Sequence, residues 1–238
     1  ADHSCDWTRG NSKVTSLQVP LSQGLRMKSN LVRFANLIAS ELGLLSWSID
    51  QNPEAHGGQV IVVEGDYRHA QSIHEKVMKK SQESGNSPVD SLMCVPPHLV
   101  IETVEGRTSY GQELADLWGF NCWDGVRSDT RKNYPTEIDQ LRIVQYDSCR
   151  GLEGWSLFAL GLDRFYEHKL NTAPNPDSEA LVDIPTLHKQ YANQWLMIPM
   201  TRAIDCLVLN IASNTTIVGS ALKRVAEKAP DFVQWIKV

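Results

Sequence analysis

No stretch of the 238-residue chain approaches about eighteen consecutive apolar residues, so a membrane-spanning helix is excluded and no membrane partner is expected. The first ten residues, ADHSCDWTRG, hold no apolar run of the kind a secretory signal needs. Cysteine is sparse, with five residues at Cys5, Cys94, Cys122, Cys149 and Cys206 and no pair spaced C-x-x-C. That spacing excludes a zinc ribbon and a thioredoxin-type redox pair. Thiols scattered in this way suit a reducing compartment, so a cytoplasmic protein is expected. Cys94, Cys122 and Cys206 are then small buried apolar residues in strand-like surroundings. Neither sign of charge dominates: 23 Lys and Arg stand against 28 Asp and Glu, a net charge of −5. This excludes a protein whose whole surface grips nucleic acid and leaves room for a local basic groove.

Several catalytic signatures are missing as well. There is no G-x-G-x-x-G, no H-E-x-x-H and no G-x-S-x-G. The dipeptide Gly-Lys never occurs, so the chain has no lysine-bearing phosphate loop of the G-x-x-x-x-G-K-[ST] type. His69 and His74 stand five apart, off a common helix face, and read as solvated helix surface rather than metal ligands.

What the chain does have is core material and a regular alternation of elements. Apolar residues make up 42% and charged residues 21%, the balance of a globular protein. Leu31, Phe34, Ile38 and Leu42 recur at a helix period that Gly43 stops. Gln59–Glu64 is a short apolar run ended by Gly65, a buried strand. A polar helix is expected from Tyr67 to Glu83, then a strand over Ser91–Val95 stopped by Pro96 and Pro97. A short helix over Gln112–Trp118 leads to a brief strand over Asn121–Trp123. Further strands are expected over Leu141–Tyr146, Ser156–Leu162 and Cys206–Ile211, with helices over Leu187–Ile198 and Ile217–Lys228. Pro199 should bend or end its helix just before Thr201. Strands that run apolar and alternate with helices indicate an α/β fold, a largely parallel sheet sandwiched by helices. We expect one domain over 1–238, with an N-terminal extension over 1–20 and a surface loop insertion over 170–186. In such folds ligands sit beyond the carboxyl ends of the strands.

Three segments carry a resemblance. LSQGLRMKSNLVRFANLIA, from Leu21 to Ala39, is similar to a Q-x-x-R element ahead of an amphipathic helix. DSCRGLEGW, from Asp147 to Trp155, is similar to H-S-x-K-G-L-E. WLMIPMTRAIDCLVLNI, from Trp195 to Ile211, is similar to Y-V-A-x-T-R-A followed by a strand. In this order the set resembles the fourth, fifth and sixth motifs in the second motor domain of superfamily I DNA helicases of the UvrD/Rep type. The resemblance implies a RecA-like domain of the P-loop-NTPase type lacking its own Walker A. It implies ATP with Mg, held mainly by a first motor domain absent from this chain, and as partners that first domain and single-stranded nucleic acid, DNA by the family's habit. The chain by itself is then not expected to hydrolyse ATP.

Residue by residue, Arg26 and Arg202 match the arginines that meet the γ-phosphate. A guanidinium suits that task because it is always charged and offers a planar fork of donors. The alternative for either is an ordinary surface or ion-paired arginine. Gln23 matches the fourth-motif glutamine at the nucleotide. Gly151, in a tight turn, lets a backbone amide approach an anion. Glu153 matches the glutamate that accepts from a ribose hydroxyl; its alternative is a first-turn glutamate at a helix start. Arg150 stands where the family often has lysine, facing either phosphate or an acid of the other domain. For nucleic acid, Gln145 replaces the family's DNA-contacting threonine, and Trp155 is the tryptophan best placed to stack on a base. Three departures set the chain apart: Leu25 for a base-stacking tyrosine, Gln145 for threonine, and Asp147 for histidine. Asp147 repels a phosphate backbone unless it is paired. These departures motivate the competing expectation of a non-catalytic helicase-like interaction or regulatory module.

Overall fold

The computed structural model describes residues 24, 26–104, 106–175 and 183–238. The expected extension over 1–20 therefore lies outside the described residues, as do Gln23 and Leu25. In chain order the main elements are α1 (Ser29–Glu41), β1 (Gln59–Glu64), α2 (Gln71–Glu83), β2 (Leu92–Val95), β3 (Val100–Thr103) and β4 (Gly106–Ser109). They continue with α3 (Tyr110–Trp118), β5 (Cys122–Asp124), β6 (Leu141–Gln145), β7 (Gly154–Ala159) and α4 (Leu162–Asn171). The last are α5 (Ile184–Met200), β8 (Ala203–Ile211), α6 (Ile217–Lys228) and β9 (Val233–Lys237).

Seven strands form one sheet in the order β5-β6-β2-β7-β8-β1-β9. All six pairings are parallel. Because successive side chains in a strand point to opposite faces, each central strand feeds two cores. Val60 and Val62 of β1, with Leu207 and Leu209 of β8, pack beneath α1, α4, α5 and α6. Ile61 and Val63, with Val208 and Phe158, pack beneath α2 and α3 on the other face. The parallel α/β architecture read from the alternating pattern is thus observed. Among the described residues no helix is long and apolar enough to cross a membrane.

Most elements fall where periodicity puts them, and the differences have local causes. The run read as a strand over Ser156–Leu162 ends at Ala159, because Gly161 turns the chain at φ 55° and Leu162 already opens α4. In α4, Leu162, Phe165, Tyr166 and Lys169 are buried at helical spacing under a sequence that reads as polar. The expected loop over 170–186 is correspondingly narrower, since α4 runs to Asn171 and α5 starts at Ile184. The antiparallel β3–β4 hairpin was not anticipated, and the apolar tail FVQWIKV supplies β9, an edge strand parallel to β1. Pro199 lies in the last turn of α5, which ends at Met200, as a missing N–H requires.

The reading of His74 is corrected. It is buried, 4% exposed, with its ring 4.5 Å from that of Phe158, 5.1 Å from Phe120 and 5.3 Å from Trp118. The residue sits on the sheet-facing side of α2, where one imidazole is tolerated because it stays neutral. Burial holds its pKa down at about 4. The unfolded chain binds a proton near pH 6.5 and the folded one does not until about pH 4, so protons favour unfolding across that window. Stability is therefore full above pH 6.5 and falls by about 3 kcal/mol toward pH 4. His74→Leu is expected to remove this part of the slope in urea unfolding measured across the same pH range.

Candidate functional site at the amino edge of the sheet

Three sequence-distant segments meet where β7 and β8 begin. The first is the stretch entering α1. There the Lys28 amide donates to the Ile204 carbonyl at 3.0 Å, and the Lys28 ammonium pairs with buried Asp205. The second is the turn from Cys149 to Glu153, which leads straight into β7. The third is the corner Thr201–Arg202 between α5 and β8. The second and third are joined by the Gly154 amide, which donates to the Arg202 carbonyl at 2.9 Å.

This arrangement brings together Arg26, Gly151, Glu153 and Arg202. Arg26 Nη1 donates to Glu153 Oε2 at 2.8 Å, with both side chains about half exposed. Arg202 adjoins them through the Gly154 bond; its Nε donates to the Ile198 carbonyl at 3.2 Å and its Nη2 to Thr201 Oγ1 at 3.5 Å. The first contact caps a carbonyl in the last turn of α5, the second uses the Thr201 hydroxyl, and together they hold the guanidinium without a carboxylate partner among the described residues. Gly151 is exposed with φ 80°, a conformation that favours glycine, and no atom lies within 4 Å of where a Cβ would sit. The alternative placement of Glu153 at a helix start is removed, since it precedes a strand.

The location differs from the expected one. The loops after the strands, at the carboxyl edge, were the anticipated place for chemistry, whereas these residues lie at the opposite edge. They precede the strands they belong to, so the general rule for ligands of parallel sheets does not find them.

Other candidates lie apart. Gln145 ends β6, at the carboxyl edge, paired in register with Val95. Asp147, a lone acid in the sequence reading, is paired with Lys169. Arg150 turns to the ring of Trp195, 4.1 Å from its centroid, and Lys169 lies 3.7 Å from the same ring. Arg150 is therefore engaged by an aromatic face, with no acid paired to it among the described residues. Trp155 is half-buried, with the Lys28 ammonium 5.1 Å from its ring centroid. Gln23 lies outside the described residues.

Sequence reading missed Arg142, Lys28 and Asp205, which build the supports of this edge. Arg142 Nη2 donates to the Glu153 carbonyl at 2.7 Å and so fixes the turn from below. A charged residue inside an otherwise apolar strand, as in LRIVQ, is the signal that marks it. Beneath the turn, the Cys149 thiol is held below its ordinary pKa, first by a hydrogen bond with Cys94 and then by the fields of Arg202 and Arg150. The first-turn amides of α1 do not serve an anion, because Ser29 and Asn30 donate to the carbonyls of Ala55 and Gly57.

No protein-family model matches the chain, and no curated protein matches it significantly.

The exposed Arg26–Glu153 pair contributes little to folding, whereas Gly154 is sterically fixed. A Cβ there would stand 2.9 Å from the Leu92 amide nitrogen and 2.8 Å from the Ser156 carbonyl oxygen. Glu153→Gln is expected to change stability by less than about 1 kcal/mol, and Gly154→Ala to lower it by about 1–3 kcal/mol, both read from urea unfolding midpoints.

Proposed function

We propose that this chain is the C-terminal, RecA-like motor domain of an ATP-dependent superfamily I DNA helicase or translocase. The observation that carries the reading is the meeting of Arg26, Glu153 and Arg202, from three resembling segments, at one edge of one sheet. In this role the amino edge forms the far wall of a nucleotide cleft. A first motor domain supplies the phosphate loop and the acids that hold Mg.

The chemistry follows from charge. Phosphoryl transfer spreads negative charge over the γ-phosphate oxygens, and preorganised cations from outside the phosphate-loop domain stabilise it. Among the described residues Arg202 pairs with no carboxylate, so its charge stays available. Arg26 is neutralised by Glu153 through a half-exposed pair worth roughly 0–1 kcal/mol, which a triphosphate displaces at little cost. The exchange releases the Glu153 carboxylate, whose oxygens then accept from a ribose hydroxyl. One ligand thus satisfies both former partners. The Gly151 turn offers backbone amides to phosphate without a side chain in the way. The positive residues at this edge also give closure of the two domains an electrostatic reason to follow ATP binding, and closure is the step a translocase converts into movement along single-stranded DNA.

In a protein or complex that includes the phosphate-loop domain, Arg202→Ala is expected to lower kcat for DNA-stimulated ATP hydrolysis by about 10³–10⁵-fold. Its Kd for ATP should stay within a few-fold. Arg202→Lys should not restore turnover, because the planar fork is lost. Unchanged turnover in Arg202→Ala removes the assignment, and steady ATP hydrolysis by the isolated chain removes the claim that it is inactive by itself.

A further inference from the structure

Next to the Arg26–Glu153 pair, the amino edge opens into a concavity of about 470 Å³ that Glu153 itself lines. This is a size at which pockets hold small organic ligands, about 300–1,000 Å³. Three aromatic rings border it: Trp155 near the start of β7, Trp123 on β5, and Tyr134 from the segment between β5 and β6. Tyr134 is 90% exposed, an aromatic ring that folding leaves in water. The segment carrying it is pinned to β5 by Trp123 Nε1, which donates to the Asn133 carbonyl at 2.9 Å. The polar side chains of its lining are Asn86, Asp90, Arg142 and Glu153. Two nitrogens of these walls, Arg142 Nε and Trp155 Nε1, are buried with no hydrogen-bond partner. Buried donors without acceptors are rare in folded proteins, and here both belong to residues that line one pocket.

We propose that this pocket takes a nucleobase, that of the nucleotide whose phosphates meet Arg26 and Arg202; the inference rests on the cleft reading and extends it. Glu153 is common to both places. A ribose held on its carboxylate has phosphates on one side and base on the other, and the structure offers cations on one side and rings on the other. Flat rings stack on any base. The acids decide against a strand of nucleic acid as occupant. Asp90 and Glu153 repel a phosphodiester backbone, while a carboxylate accepts from an exocyclic amine. An amino-bearing base such as adenine fits this set.

The test separates base from phosphate on the chain itself, labelled with ¹⁵N-tryptophan and followed through its indole N–H resonances. Adenosine carries a base and no phosphate; inorganic tripolyphosphate carries phosphate and no base. Adenosine is expected to shift the Trp155 and Trp123 resonances. Tyr134→Ala, at an exposed position that folding does not need, should weaken adenosine binding about tenfold and leave tripolyphosphate binding within twofold. Trp155→Leu should act in the same direction. Arg202→Ala should weaken tripolyphosphate and spare adenosine. If tripolyphosphate binds through Arg202 while adenosine leaves both indoles unmoved, the base pocket is overturned and the cleft reading stands. If adenosine binds and tripolyphosphate does not, the cleft reading fails while the pocket is retained as a base site. A short oligothymidylate that shifts the same indoles and displaces adenosine would give the pocket to a single strand and overturn the proposal.

Discussion

The geometry of the amino edge depends on one hydrogen bond, from the Gly154 amide to the Arg202 carbonyl. It starts the parallel ladder between β7 and β8, and the register slips immediately afterwards, between Gly154 and Ser156. Without that start, the turn carrying Gly151 and Glu153 has no fixed relation to the corner carrying Arg202. Gly154 can sit there because it has no side chain to strike the backbone of Leu92 and Ser156. A backbone contact permitted by one absent methyl group thus sets how far apart two charged side chains stand. A site built this way is more precise than one built on loops alone, since the sheet behind it is buried on both faces and close-packed.

The resting state of the site is also informative. Arg26 and Glu153 satisfy each other in the open, at an energy comparable to thermal noise. Arg202 instead borrows the Ile198 carbonyl and the Thr201 hydroxyl at the end of a proline-terminated helix. The two arginines are therefore stored differently: one masked by an acid that becomes a ligand contact once displaced, the other held unmasked. Under the proposed function, this gives a binding step with little reorganisation and keeps a charged group oriented before the reaction needs it.

Much of the fold was legible in the sequence because apolar runs such as Gln59–Glu64 and Cys206–Ile211 are strands buried on both faces. α1 and α6 were legible by their period. α4 was not, since polar residues such as Asp163 and Lys169 stand on its buried face and Leu162 continues an apolar run that belongs to β7. His74 misled for the opposite reason: a polar helix hides one buried imidazole among rings that come from distant segments. At the site, the residue types of Arg26, Glu153 and Arg202 were readable from their motifs, but their edge was not. The rule that ligands sit past the carboxyl ends concerns loops that follow strands, and these residues come before theirs. Arg142 and the aromatic trio of Trp123, Tyr134 and Trp155 come together only through strand order, which places β6 and β7 on either side of β2.

The double attachment of Lys28 to β8 has a mechanical corollary. Its amide and its ammonium clip the approach to α1 onto Ile204 and Asp205, two residues beyond Arg26. A helix of 13 residues is a rod about 20 Å long. Its remote tip, Glu41, is gripped by Arg224 and Lys228 of α6. Any tug on Arg26 therefore arrives as torque about a fulcrum at Lys28. A tilt of about 5° over that length swings the tip by roughly 2 Å, and α6 is the element its ion pairs would pull.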